Sequence, residues 1–240
     1  HQETFTFGAS YRHYNGRHVQ SLILSHNYLN NRNLKYRNND DSSEDNLTLR
    51  LRSTEQKTTL RFENQTRLGA WTLKEGAELN NSIYTNHSRQ RLYGSHSGTL
   101  SIYETSLDIF GWGAFFSSNY TTADKRLALS AGIRMDGNTY NRKMRQLWKQ
   151  FSPRLSASYK LSEQWTLSGS TGLYHQLPPY TALGYKDNEG QYLNKNLKYM
   201  QVFESSLGVD WHLQDRFMVS AEGFFKRYSR MPLSLQDNIP

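Results

Sequence analysis

The chain of 240 residues contains no cysteine. It can therefore form neither a disulfide framework nor a zinc site built on cysteine ligands. Long apolar runs are also missing, because no stretch approaches the roughly 18 residues that a membrane helix needs. Hydrophobic residues make up 36% of the chain and aromatic residues 13%, whereas a soluble domain of this length has more Leu, Val and Ile and fewer Tyr. The absence of a long apolar run excludes a helical membrane protein.

The sequence has few acids relative to bases, with 29 Lys and Arg against 21 Asp and Glu and a net charge of +8. The basic residues are spread through the chain rather than clustered in one segment. A nucleic-acid-binding protein concentrates its bases on one patch, so the distribution argues against nucleic acid as a partner. This distribution is instead typical of many strands that each expose one face to water.

Alternation of apolar and polar residues is the dominant pattern in the chain. It is clear at residues 4–11, 127–136, 155–161 and 203–211. Such strands need only about 9–11 residues to cross a membrane when every second residue is apolar. The pattern predicts about ten antiparallel strands of a transmembrane β-barrel, an all-β fold.

The predicted connections alternate between short and long. Outer-membrane barrels have short periplasmic turns and long extracellular loops, whereas β-sandwiches distribute their loops less regularly. Three of the five tryptophans, Trp71, Trp165 and Trp211, lie close to short turns, which is typical of an aromatic girdle but also of core residues at strand ends. Short turns are expected near residues 15–16, 68–69, 122–125, 161–164 and 212–215. Long loops are expected near residues 30–45, 82–102, 138–150 and 176–199.

Residues 47–62 fit the pattern less well, since Leu49 and Leu51 have the opposite parity to Leu60 and Phe62. We expect one long strand here that projects beyond the membrane, with a bulge near residues 53–57. The chain closes on the unpatterned SLQDNIP, where a complete outer-membrane barrel ends on a strand with a terminal aromatic. We therefore expect residues 1–240 to be a segment of a larger barrel that lacks the C-terminal strands.

Three stretches, STGLYHQLPPYTALG, NKNLKYMQVFESSLGVDW and RFMVSAEGFFKRYSRMPLS, resemble the barrel of TonB-dependent outer-membrane receptors. In that family an aromatic residue and a proline end a strand before an extracellular loop, which Tyr174–Pro178 matches. Asn194, Leu197 and Leu207–Gly208 match parts of the motif that opens the next strand. Lys195, Tyr199 and Met200 replace the prolines and glutamate of the family motif, which indicates a divergent, Bacteroidetes-like branch.

The resemblance implies a receptor in the bacterial outer membrane that imports a large nutrient, such as an iron chelate, cobalamin, a glycan or a peptide. Its partners would be the TonB complex, reached through a plug domain, the outer-membrane lipid and a surface lipoprotein. Neither a plug nor a TonB box is recognisable in these residues. The segment would then supply barrel wall and binding surface, with no cofactor.

Strand parity selects candidate site residues. Charged residues opposite the apolar side are expected to face the lumen, because a charge in the hydrocarbon costs about 2–4 kcal/mol at the midplane. They are equally explained as cross-strand pairs on a wet wall. The lumen candidates are Arg134, Asp136, Arg154, Lys160, Glu204, Asp210, Glu222 and Lys226. The ligand-binding candidates are Tyr174, His175 and four loop tyrosines that either stack on a ligand ring or pack the loop, Tyr180, Tyr185, Tyr192 and Tyr199.

Three other functions stay open. One is a non-transporting barrel, either an adhesin or a structural protein, and another is a soluble carbohydrate-binding β-protein. The third is a ten-stranded outer-membrane protease, for which Asp108, Asp136 and His175 are the candidate catalytic residues. The sequence has no Gly-x-Ser-x-Gly element, phosphate loop or dinucleotide fingerprint, and its eight histidines lack metal-site spacing. We therefore expect no enzyme activity.

Overall fold

The computed structural model describes residues 1–92, 99–186, 189–213 and 217–232. They form one antiparallel sheet in which ten strands follow one another in sequence order, with β1 and β10 at its edges. This confirms the predicted all-β barrel wall of about ten strands. The strands are β1 (Gln2–Asn15), β2 (His18–Tyr36), β3 (Leu47–Leu68), β4 (Trp71–Leu92), β5 (Thr99–Thr121), β6 (Leu127–Asn138), β7 (Ser152–Lys160), β8 (Trp165–Gln176), β9 (Met200–Leu213) and β10 (Phe217–Ser229).

The register gives the sheet one apolar and one polar face. Directly paired residues share a face, and one such row runs through Leu24, Leu60, Leu79 and Trp112. Leu24, Leu60 and Leu79 are each at least 40% exposed, so this face has no protein layer over it in the described chain. In those same ranges, no helix combines the length and the hydrophobicity needed to cross a membrane.

Two sequence predictions about the first half of the sheet are wrong. Residues 82–102 are mostly strand rather than loop, because β4 and β5 remain paired out to Leu92 and Thr99. The polar residues there continue the two strands past the apolar belt. The bulge near residues 53–57 is also missing, since β3 pairs with β4 without a shift from Leu49 to Leu68. The change of parity therefore places Leu49 and Leu51 on the polar face.

Tight turns join the strands at one end of the sheet. Gly16 and Gly69 open two of them with φ values of +56° and +59°, a backbone conformation that glycine adopts without steric cost. The short connections at residues 122–126 and 161–164 are also as expected. The turn predicted at residues 212–215 lies partly outside the described residues.

The tryptophans near these turns lie on the apolar face. Trp71 packs against Tyr120 with ring centroids 4.7 Å apart, and Trp165 stacks on Trp211 at 6.0 Å. Trp71 is 47% exposed. Amphipathic rings at the end of an apolar face are the arrangement found where a barrel meets the membrane surface.

The opposite end of the sheet carries the long connections. Segment 37–46 contains two 3₁₀ turns, Arg37–Asn39 and Glu44–Asn46. Loop 139–151 contains a third, Leu147–Gln150, and loop 177–199 contains the four-residue helix α1, Tyr180–Leu183. The proline pair at 178–179 precedes α1 and ends the pairing of β8, because proline cannot donate to a ladder.

Candidate functional site

Loops 139–151 and 177–199 fold back onto the polar face and bury a small hydrophobic core there. Met144 and Leu183 are fully buried. They pack against β4 and β5 at positions that lie beyond the reach of β6, whose pairing with β5 stops at Gly111. The described parts of the two loops therefore form a packed layer over the outer part of the polar face. The core consists of Tyr84, Leu107, Ile109, Met144, Leu183 and Tyr199.

Asparagine side chains fasten the two loops to each other. Asn141 Nδ2 donates to the carbonyl oxygens of Lys195 at 3.0 Å and Leu197 at 2.8 Å, and Asn141 Oδ1 accepts from Met144 N at 2.8 Å. Asn138 Nδ2 donates to the Tyr199 hydroxyl at 2.9 Å. The Asn138–Tyr199 bond is buried, and together these bonds hold the two loops in one arrangement.

Tyr140 and Tyr199 lie at the junction of the loops with the sheet. The Tyr140 hydroxyl lies 2.8 Å from the carbonyl oxygen of Leu183 and 3.0 Å from that of Asn194. Burial raises the pKa of Tyr140 to about 12, with a smaller contribution from Tyr192. Burial and then the charge of Asp136 raise the pKa of Tyr199 to about 12 as well. Both phenols are therefore neutral at physiological pH.

A cleft of about 610 Å³ lies beneath this loop layer on the polar face. His175 is on its wall, where His175 Nδ1 lies 2.9 Å from Ser152 Oγ and His175 Nε2 is buried without a hydrogen-bond partner. Acidic and basic side chains both line the cleft, so it suits a polar ligand or protein segment. The lining residues that bear on this are Glu55, Glu78, Arg134, Asp136, His175 and Tyr199.

A chain of ion pairs crosses the floor of the polar face. Arg134 forms a bidentate pair with Asp136, with nitrogen–oxygen distances of 2.7–3.0 Å, and its Nη2 lies 3.6 Å from Glu78. Glu78 lies 3.5 Å from Arg61 Nη1. The chain continues from Arg61 to Glu63 and on to Lys74, whose Nζ is 2.9 Å from Glu63.

Glycine residues on β4 and β5, which have no side chain, leave room for this network. Gly113 pairs with both Glu78 and Asp136, and a Cβ there would lie 2.6 Å from Asp136 Oδ1. Gly76 similarly leaves room for Phe115, whose ring would be 2.5 Å from an added Cβ. The Arg61 guanidinium lies over that ring, 4.6 Å from its centroid, in a cation–π contact.

Comparison with known proteins identifies the family. The family model described as TonB dependent receptor-like, beta-barrel matches residues 1–240. The chain belongs to the TonB-dependent receptor β-barrel family. Such receptors are transporters of the bacterial outer membrane rather than enzymes, which confirms the predicted family and location. A search of curated proteins finds no match.

Solved receptors share the fold of this receptor barrel at low sequence identity. The ferric enterobactin receptor PfeA from Pseudomonas aeruginosa superposes with a TM-score of 0.71 at 16% identity, over 95% of this chain and 35% of that one. The ferric-catecholate import receptor Fiu from E. coli K12 gives 0.65 at 13%, over 99% and 42%. The copper transporter OprC gives 0.66 at 14%, over 94% and 38%. The receptor barrel described here thus spans about two fifths of these chains or less.

Three of the six ligand-binding candidates, His175, Tyr180 and Tyr199, line the cleft of the receptor barrel. Tyr180 also stacks on Tyr84 with centroids 5.5 Å apart. Tyr174 is on β8 away from the cleft, and its ring lies 4.5 Å from the Arg154 guanidinium.

The remaining two candidates belong to the outer part of loop 177–199. The Tyr192 hydroxyl donates to the Ser106 carbonyl oxygen at 2.7 Å. Tyr185 is 50% exposed and lies 6.5 Å from Tyr103 between ring centroids. The structure therefore brings three candidates together at the cleft and gives Tyr180, Tyr192 and Tyr199 partners within the protein.

The charged candidates all occupy the polar face of the receptor barrel. Arg134 and Asp136 belong to the ion-pair chain, and Lys226 pairs with Glu204 at 3.3 Å. Asp210 accepts from Ser220 Oγ at 2.6 Å. The others, Arg154, Lys160 and Glu222, are exposed.

Asp108 does not join Asp136 and His175. It pairs with Ile83 and points to the apolar side, whereas Asp136 and His175 line the cleft on the polar side. The three proposed protease residues therefore cannot act on one substrate, and the hypothesis of a catalytic group built from them is wrong.

Sequence reasoning missed Arg61, Glu63, Lys74 and Glu78. The alternation of these charged residues with apolar neighbours was visible in the sequence. However, the apolar residues of segment 47–62 change from odd to even positions, so the sequence did not show that Arg61 and Glu63 share a face with Glu78. Charges at positions of matching parity on adjacent strands were the available signal.

Proposed function

We propose that this chain forms part of an outer-membrane receptor that binds a large nutrient and imports it with energy supplied through TonB. The observation that carries the proposal is the packed layer made by loops 139–151 and 177–199 over the polar face, with a cleft beneath it. Ordered loops that reach into a barrel restrict passage, whereas an open pore leaves its lumen clear. Binding and function concentrate on such loops.

In this proposal the polar face lines the barrel interior. Further strands close the wall, and a plug domain occupies the lumen. The ion-pair chain from Lys74 to Asp136 then forms part of the surface that the plug contacts. The lumen-facing residues are Arg134, Asp136, Arg154, Glu204, Asp210 and Glu222.

The loop surface favours an anionic nutrient. Residues 139–151 contain four cations and no carboxylate, and Asn141 fixes this loop against Lys195 and Leu197. Exposed cations on a rigid surface attract anions and raise their local concentration. An anionic iron chelate or an acidic oligosaccharide fits this surface better than a cationic peptide. The exposed cations are Arg142, Lys143, Arg145, Lys149, Lys195 and Lys198.

The test is energised uptake by cells that carry the full-length gene. A deletion strain and a complemented strain are compared on labelled ferric chelates, cobalamin, oligosaccharides and peptides, with and without an uncoupler of the inner membrane. We expect one anionic class to require both the gene and the membrane energy. Uptake that is independent of the uncoupler, or unchanged by the deletion for every class, would overturn the import proposal.

Charge-neutral loop variants separate binding from transport. Replacing Arg142 and Lys143 by Gln should weaken capture of the anionic class, and replacing Lys125 in a short turn by Gln is the matched control, because Lys125 lies at the opposite end of the sheet. Equal capture of the anionic class by both variants would contradict the proposed preference for anions but would not contradict the proposed import.

A further inference from the structure

The apolar face is interrupted by polar side chains on β2, β3 and β4. One register row pairs Gln20 with Asn64 and Asn64 with Glu75, and the neighbouring row pairs His18 with Thr66. We name these five residues the polar cluster. They have the same parity on their strands as Leu24, Leu60 and Leu79, so the polar cluster faces outward from the barrel wall.

The corresponding part of β6–β9 differs from this. Its outward positions are apolar or small, and they include Leu129, Leu155, Leu167 and Leu207. The contrast shows that one sector of the wall is suited to lipid and that the sector at β2–β4 is not.

The polar cluster lies inside the apolar belt and not at its rim. Phe62 and Ala77 follow it on one side, and Leu68 and Trp71 follow it on the other. A strand advances about 3.3 Å per residue and is tilted by about 40°, which places Glu75 roughly 10 Å from Trp71 along the membrane normal. The apolar band of a barrel is about 25 Å tall, so Glu75 lies at hydrocarbon depth. Ionisable groups at this depth are unfavourable against lipid and mark functional positions.

The polar cluster satisfies its own hydrogen-bonding groups only in part. Asn64 Nδ2 donates to Glu75 at 2.6 Å and to Thr66 Oγ1 at 3.2 Å. His18 Nδ1 lies 2.9 Å from Thr66 Oγ1. Within the described chain, His18 Nε2, the Gln20 amide and the second carboxylate oxygen of Glu75 have no partner, and His18 and Gln20 are exposed. Polar groups left unpaired in hydrocarbon cost several kcal/mol each, so a surface that pairs with them is favoured over lipid.

The polar cluster is complementary to itself. Its free donors, on Gln20 and His18, are on β2, whereas its carboxylate, Glu75, is on β4, and β3 lies between these strands. A twofold axis that is parallel to the membrane normal and passes over β3 brings β2 of one copy against β4 of a second copy. Donors then face the carboxylate twice, once on each side of the axis, as in an isologous interface.

The area around this axis is large enough for a stable dimer. Five strands, β1–β5, spaced by about 4.8 Å and crossing a band about 25 Å tall, offer about 600 Å² per copy and about 1,200 Å² in total. Specific protein interfaces begin at about this size. Leu22, Phe62 and Leu79 lie beside the polar cluster and are each at least 45% exposed, so they supply an apolar border that packs against the second copy.

We propose that the receptor forms a homodimer in the membrane through the outward face of β2–β4, with the polar cluster at its centre. This interface lies on the opposite face of the sheet from the cleft and the ion-pair chain, so the proposal does not depend on the import function. At high dilution in lipid the receptor is a monomer, and Glu75 then faces hydrocarbon.

Energy transfer between two differently labelled pools of full-length receptor in bilayers tests the proposal. Transfer should rise as the lipid-to-receptor ratio falls. The variant Q20L/E75L removes a donor and the carboxylate, so its dissociation constant should be about tenfold higher than that of wild type. The matched control T171L/S205L makes two polar-to-apolar changes on the same face of β8 and β9 and should behave as wild type. Equal dissociation constants for Q20L/E75L and wild type, or no transfer at any ratio, would overturn the proposal.

A cross-linking measurement identifies the occupant of this face without disturbing the polar cluster. Phe62→Cys, in a full-length receptor without other reactive thiols, places one thiol on β3 next to the proposed axis. Mild oxidation of native membranes should join two copies of this variant, whereas Leu207→Cys on β9 should remain uncross-linked. A Phe62→Cys product that contains a different protein, or the absence of any product, would contradict a second copy as the occupant.

Discussion

Arg134 on β6 lies 3.6 Å from Glu78 on β4 although the whole of β5 runs between them. The contact exists because Gly113 occupies the intervening position and has no side chain. One glycine thus allows a salt bridge to span three strands of the wall.

Replacing Gly113 by Ala should break this bridge. The new Cβ would lie 2.6 Å from Asp136 Oδ1 and 3.2 Å from Arg134 Nη2, and overpacking of this kind costs about 1–3 kcal/mol. Urea unfolding of the full-length receptor in lipid measures the change. The control is Gly223→Ala on β10, where a Cβ meets nothing within 4 Å. Equal free energies of unfolding for the two variants would contradict the claim that the salt bridge between Arg134 and Glu78 depends on the absence of a side chain at Gly113.

Asn141→Ala should loosen the two loops. It removes two donated hydrogen bonds and one accepted one, each contributing about 1 kcal/mol. We expect loops 139–151 and 177–199 to exchange amide hydrogens faster by one or more orders of magnitude, while β6 and β7 stay protected. The exposed Asn196→Ala is the control. Unchanged exchange in the Asn141 variant would mean that the buried core alone holds the loops.

Alkaline pH should destabilise the loop layer through Tyr140. Its pKa is raised to about 12 in the folded state against about 10 in the unfolded chain. The unfolded chain therefore loses this proton first, so stability is full below pH 10 and falls as pH rises to 12. Tyr140→Phe should flatten the fall measured by unfolding between pH 9 and pH 12. The same dependence of unfolding free energy on pH in wild type and Tyr140→Phe would refute the assignment of the alkaline destabilisation to Tyr140.

Glu75 is a carboxylate on the apolar face. It pairs with Phe116 in the register and accepts a hydrogen bond from Asn64 Nδ2 at 2.6 Å. Because a charge facing hydrocarbon is unfavourable, Glu75→Gln should raise the free energy of unfolding in lipid by about 1 kcal/mol while retaining the acceptor. Glu163→Gln in a short turn is the neutral control. A destabilised Glu75→Gln would indicate that the charge has a partner in the membrane.

Much of the wall was predictable from the sequence because a membrane strand obeys a strict period of two. Residues such as Leu129, Ile133, Leu155 and Leu207 lie on the predicted face. Prediction failed where that constraint ends. Beyond the belt both faces are polar, so residues 82–92 read as loop although they pair with β5 in an unbroken register.

The candidate site was predictable in some of its residues but not in its arrangement. The sequence indicated that residues 176–199 form a long outer loop, and His175, Tyr180 and Tyr199 were identified there. The inward fold of that loop depends on packing between Met144, Leu183 and Tyr84, which are far apart in sequence. The ion-pair chain depends on Gly113 and on the register of four strands, β3 to β6, neither of which local patterning reveals.

The two-faced wall is the central claim, and the absence of cysteine from residues 1–240 makes it directly testable. Single cysteines placed along β9 of the full-length receptor at residues 204–209 are labelled with a fluorophore, in a background without other reactive thiols. Quenching by bromine-labelled lipid chains is then measured in bilayers. Positions 205, 207 and 209 should be quenched strongly and positions 204, 206 and 208 weakly. Quenching that does not alternate along the strand would contradict the account.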